Sequence, residues 1–105
     1  MRLAPDPYTA SSDRWMGSLP AGVDWSRLED RLIARGWYPK NAITRLRVYG
    51  CDGGHEIVIE PSSRHVVFRI APQVAPADCA QIAEALAHVL AEEAHIQGAS
   101  PAHAA

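Results

Sequence analysis

His55-Glu56-Ile57-Val58-Ile59-Glu60, Pro61-Ser62-Ser63-Arg64, His65-Val66-Val67-Phe68-Arg69-Ile70: these sixteen residues decide the fold. Both outer runs alternate with period two, the pattern of half-buried strands. A four-residue polar segment joins them as a hairpin loop. One register satisfies every position. It sets Ile59 opposite Val66, Ile57 opposite Phe68, Val58 opposite Val67, Glu60 opposite His65 and Glu56 opposite Arg69. Cross-strand pairs of this kind contribute about 0.2–1 kcal/mol each. A one-residue slip would turn every apolar side chain to the wrong face, so the register is strongly specified.

Working outward, Gly50-Cys51-Asp52-Gly53-Gly54 is a turn signal. Before it, Ile43–Tyr49 alternates as a third strand, with Leu46 and Val48 facing inward and Arg45, Arg47 and Tyr49 outward. Further upstream, Asp24 can cap a helix whose apolar face is Trp25, Leu28, Leu32 and Ile33. Gly36 ends it as a left-handed residue, and Trp37 is then placed to touch Leu32. Pro39 blocks helical continuation at Tyr38. Downstream, a second helix starts near Pro76. Its stripe is Cys79, Ile82, Leu86, Val89, Leu90 and Ile96, its alanines permit close approach, and Gly98 is its expected end.

The order α-β-β-β-α predicts an α+β two-layer sandwich: a three-stranded antiparallel sheet packed against two helices, one sheet face partly open. Residues 1–22 are expected as an extended arm, 23–98 as the single domain and 99–105 as a flexible tail. Tyr8, Trp15, Met16 and Leu19 give the arm enough apolar area to pack on its own domain.

The composition, 48% hydrophobic and 21% charged, excludes a disordered chain. Two cysteines, Cys51 and Cys79, make no disulfide framework. Met1–Pro20 is broken by Pro5, Pro7 and Pro20 and lacks the apolar run of a signal peptide. No run approaches the length of a membrane span. A cytoplasmic location is the expectation.

Charge is split along the chain. Residues 1–69 carry ten basic and eight acidic side chains, and residues 70–105 carry none and four. If the second helix stands apart from the basic elements, the molecule is electrically two-sided, which bears on how it meets partners. Nine of the ten basic residues are Arg. Arg27, Arg31 and Arg35 recur every four residues on the first helix, a stripe able to grip phosphates or a carboxylate-rich protein surface. Glu84, Glu92 and Glu93 give the second helix an acidic surface.

Chemistry is sparse. Cys51, Asp52 and His55 share one loop and could form a thiol nucleophile site or two metal ligands. No CxxC or HxxxH pair supports a metal, and no cofactor motif is present, so neither is expected. His88 and His95, seven residues apart, are too distant for one metal.

The element order is similar to the double-stranded-RNA-binding fold and to the HicA-type toxins that share it. The local match is Leu32-Ile33-Ala34-Arg35-Gly36-Trp37 before the first strand, then Gly53-Gly54-His55 opening the second. HicA-like ribonucleases carry a Gly-Ser-His tripeptide there, which would make His55 the catalytic acid/base. Gly54 stands in the Ser position, and the second helix is acidic where RNA binders of this fold are basic. In size and lack of catalytic residues the chain also looks like the inhibitors of phages and mobile elements, such as anti-CRISPR proteins.

The leading expectation is a small non-enzymatic binding protein that docks on and blocks a larger protein or ribonucleoprotein. Its contact residues would be Arg27, Arg31, Arg35, Tyr49, Val58 and Val67. The alternative is an RNA binder or HicA-like ribonuclease using His55. A third reading is a homodimer in which the Ala-rich helix, or the open sheet, pairs with itself.

Overall fold

A computed structural model describes residues 1–7, 12–40 and 45–104, with side chains through residue 94. The elements are β1 (Ala4–Pro5), β2 (Arg14–Ser18), α1 (Trp25–Ala34), β3 (Tyr38–Lys40), β4 (Arg47–Gly50), β5 (Glu56–Glu60), β6 (His65–Arg69) and α2 (Pro76–Ala104). The class is α+β. Among the described residues the sheet, however, has six strands rather than three, all antiparallel, in the order β1-β2-β6-β5-β4-β3.

The central hairpin forms in the expected register. Glu56, Ile57, Val58, Ile59 and Glu60 face Arg69, Phe68, Val67, Val66 and His65. Ile57, Ile59, Val66 and Phe68 are completely buried. Three further strands lie in segments without a long alternating run. Within the expected arm, Arg14–Ser18 pairs along the whole of β6, Trp15 opposite Phe68 and Gly17 opposite Val66, and Ala4–Pro5 pairs with β2. Tyr38–Lys40 pairs with β4. Short strands of this kind are held by the neighbour they pair with more than by their own propensity. Tyr8, within the expected arm, and Ile43, the expected start of the third strand, lie outside the described residues.

β4 corrects the sequence reading in its phase. Tyr49 pairs with Ile57 and is 1% exposed, so it faces the core, while Val48 pairs with Val58 on the opposite face. Leu46 is exposed. Two arginines on Tyr49's phase suggested an outward face. The buried ring outweighs them, because an aromatic body carries more apolar area than Leu46 or Val48 offers. Arg47 keeps its charge near water beside Glu29, 3.7 Å away.

Both helices cover the same sheet face. Asp24 caps α1, accepting from Ser26 N and Arg27 N at 3.1 and 3.2 Å. At its other end Trp37 N donates to Leu32 O and Gly36 N to Ile33 O, each at 3.0 Å. Gly36 has φ +96, a conformation that a Cβ resists. Leu28, Leu32 and Trp37 join the core, whereas Ile33 is 47% exposed and leaves the expected apolar face. Among the described side chains of α2 the buried apolar positions are Cys79, Ala83, Ala87, Leu90 and Ala94, and Glu93 is buried beside them. Ile82, Leu86 and Val89 flank them half-buried, so the stripe is centred on alanines that bring the helix close to its neighbours. Ile96 and His95 lie beyond the described side chains. The α2 backbone continues through Gly98 to Ala104, where the sequence reading placed a tail; Ala-rich sequence tolerates one internal Gly at about 1 kcal/mol.

Candidate docking surface

Strand alternation divides the sheet's side chains between two faces. The helices cover the face carrying Trp15, Phe68, Ile57 and Tyr49. The other face is open. Its middle row, read across four strands, is Met16, Val67, Val58 and Val48, each partnered with the next in the register. All four are half-buried by their neighbours alone. On one side of this row lie Arg14, Arg69 and Glu56, and on the other Ser18, His65 and Glu60.

Glu56 is the electrostatic centre of the face. Its two oxygens accept from Lys40 Nζ and from Arg69 at 2.9 Å. The Lys40 hydrogen bond, aided by the two cationic charges, holds the Glu56 carboxyl below its ordinary range. The same bond raises the Lys40 ammonium above its usual value. Gly50 lies between these groups: a Cβ there would sit 3.0 Å from Lys40 Cδ and 3.1 Å from the Tyr38 ring. Both side chains therefore lie flat over the β3–β4 corner.

The predicted contact residues are not gathered at one place. Val58 and Val67 are adjacent at the centre of the open face. Tyr49 is not available for contact: it is in the core, and its hydroxyl donates to Glu29 Oε1 at 3.0 Å. Burial, with the Glu29 carboxylate beside it, pushes its pKa up to about 12. Of the arginine stripe, Arg31 and Arg35 turn inward to α2. Arg31 lies 3.3 Å from Glu93 Oε2, Arg35 Nε lies 2.9 Å from Glu93 Oε1, and Arg35 also reaches Glu92 at 3.5 Å. Glu93 is 5% exposed. The expected two-sided charge distribution is thereby overturned, because α2 does not stand apart and its carboxylates meet the guanidiniums of α1. Arg27 and Glu84 are exposed. Glu84 borders a groove of about 640 Å³ with His88, Arg2 and Trp15.

The Cys51–His55 turn is latched internally. Ala71 N donates to His55 Nδ1 at 3.0 Å, which places the ring proton on Nε2 in this state. Gln73 Nε2 donates to Gly53 O at 3.1 Å and Gly54 N to Cys51 O at 2.9 Å. Gly54 has φ +88, and a Cβ there would come within 3.2 Å of the Ala71 Cβ. A serine at this position, as in the HicA tripeptide, would be strained. Among the described residues no group of three His, Cys, Asp or Glu is placed to hold a metal ion. No helix among them is long and apolar enough to cross a membrane.

Sequence reasoning missed Met16 and Val48, half of the central row. Met16 could have been found from the outward phase of Arg14-Trp15-Met16-Gly17-Ser18 once Trp15 is turned inward. Val48 follows from burying Tyr49. No family model matches the chain, and neither a curated protein nor a solved structure matches it.

Proposed function

We propose that this chain is a non-enzymatic binding protein that works by laying the open face of its sheet against a protein surface. The observation that carries this reading is the apolar row Met16–Val67–Val58–Val48, spanning four strands with charged groups on both sides. An apolar centre with a polar rim is the usual anatomy of a protein contact. Phosphate recognition has less support, since Arg31 and Arg35 are engaged with Glu93 and Glu92.

The test is a comparison of three variants for association with any protein partner, itself included. Val58→Arg and Val67→Glu should each weaken association at least tenfold with the circular dichroism spectrum unchanged. Arg27→Glu, on the far side of the molecule, should leave it intact. Loss with Arg27→Glu alone would move the working surface to α1. Association through apolar contact also survives added salt, whereas phosphate binding falls steeply with it.

A further inference from the structure

We infer that the occupant of the open face is a second copy of this chain, stacked face to face about a two-fold axis that runs along the strands between β5 and β6. The inference rests on reading that face as protein-binding and goes on to name the partner.

The hairpin register makes the face its own complement. Across the β5–β6 seam, Glu56 stands opposite Arg69, Val58 opposite Val67 and Glu60 opposite His65. A two-fold axis along this seam lays β5 of one copy over β6 of the other. Each residue then lies over a copy of its own cross-strand mate. Glu56 meets the second copy's Arg69, Val58 its Val67 and Glu60 its His65. One strand further out, Val48 lies over the second copy's Met16, so the apolar rows coincide along their length. The other in-plane two-fold, perpendicular to the strands, stacks Glu56 on Glu60 and Arg69 on His65. The carboxylates of Glu56 and Glu60 then face each other, and that arrangement is rejected.

The charges have capacity to spare. The Arg69 side chain is 54% exposed while donating one nitrogen to its own Glu56. Its remaining donors can reach the second copy's carboxylate, closing a ring of two arginines and two glutamates. Isologous contacts of this kind are the commonest route to closed oligomers. Stacked sheets pack about 10 Å apart with strands within about 30° of alignment, a spacing that valine and methionine rows fill.

Among the described residues the sheet edges do not offer a competing mode. The edge strands β1 and β3 have two and three residues and carry Pro5 and Pro39. Short, proline-bearing edges resist strand addition. Growth through the face remains.

Light scattering of the full chain across micromolar concentrations tests this. The mass should rise from 11.4 kDa toward double that value. Val58→Arg should hold it at the lower value. Mixing Glu56→Arg with Arg69→Glu is the decisive arm. Each variant puts like charges at both crossings when paired with itself, and opposite charges at both when paired with the other. The mixture should dimerise at least tenfold more tightly than either variant alone, which a merely structural role for these residues would not produce. A wild type that stays monomeric, with Val58→Arg still abolishing capture of some other protein, overturns the second copy and leaves the face as a docking surface. A monomeric wild type whose captured partners are untouched by Val58→Arg overturns both.

Discussion

Arg35 and Glu93 lie 58 residues apart in sequence and 2.9 Å apart in the fold. Arg31, one turn earlier on α1, takes the other oxygen of the same carboxylate at 3.3 Å. One nearly buried Glu thus bridges two guanidiniums of the neighbouring helix. The contact joins the basic first part of the chain to its acidic end and pairs two of the four acidic side chains there, Glu92 and Glu93, with guanidiniums. It sits beside Leu32, Leu90 and Ala94, so the ion pairs form where the helices already approach closely.

Removing the Glu93 carboxylate leaves both arginines without their shared partner. Breaking a buried pair costs about 3–5 kcal/mol, but here the arginines are partly exposed and recover water, so Glu93→Ala should cost about 1–3 kcal/mol. Glu92→Ala, at a 47% exposed side chain, should stay within about 0.5 kcal/mol. Urea unfolding of the two variants measures the contrast. Equal losses would remove Glu93 from the interhelical account.

Tyr49 makes stability depend on alkaline pH. Its pKa is raised in the fold to about 12 from an ordinary 10.0. The contribution is therefore complete below the unfolded value and lost as pH rises from there through the folded value. Thermal melts should drop across that window, and Tyr49→Phe should flatten the drop. In an absorbance titration Tyr49 should resist ionisation until the chain unfolds.

Glu56 acts at the opposite end of the scale. A carboxyl held below its ordinary range contributes stability that is present above that range and lost as pH falls through the folded value. Glu56→Gln should remove this part of the acid dependence and, because the same carboxylate raises the Lys40 ammonium, should also lessen the loss of stability at alkaline pH. Melting curves from neutral pH down through the carboxylate range, and from neutral pH up into the lysine range, compare the two proteins.

His55 should be replaceable by a residue that keeps an acceptor near Nδ1. His55→Ala leaves the Ala71 N–H unpaired and should cost about 1–2 kcal/mol, while His55→Asn should recover part of it. Chemical denaturation gives both values. An RNA-cleaving activity lost equally in both variants would assign the imidazole a catalytic role instead.

Arg64 closes the β5–β6 loop with φ +62, in the left-handed region that favours glycine. Arg64→Gly should raise stability by up to about 1 kcal/mol, and Arg64→Val should lower it by about 1–2 kcal/mol. A Gly variant less stable than wild type would show that the arginine side chain contributes more than its backbone costs.

Local signals were legible wherever pattern and turn agreed. The β5–β6 register, the Asp24 cap, the Gly36–Trp37 helix end and the Pro76 start all rest on interactions within a few residues or across one tight hairpin. Val58 and Val67 were assigned outward correctly for the same reason. The candidate surface was only half visible, because Met16 belongs to a two-strand addition anchored on β6 and Val48 to a strand whose phase depends on what packs above it. Tyr49 shows the difficulty: its neighbours Arg47 and Val48 suggest one face, and the aromatic ring requires the other.

Composition and order by themselves determined the α+β class, the two helices and the central hairpin, since periodicity, capping and turn chemistry act over short separations. The three-dimensional fold decided what those elements mean for one another. It added β1 and β2 beside β6 and β3 beside β4, buried Tyr49, and spent Arg31, Arg35 and Glu93 on holding two helices together. Those outcomes depend on contacts between residues tens of positions apart, where a charge or a ring acquires its partner only when the chain has closed.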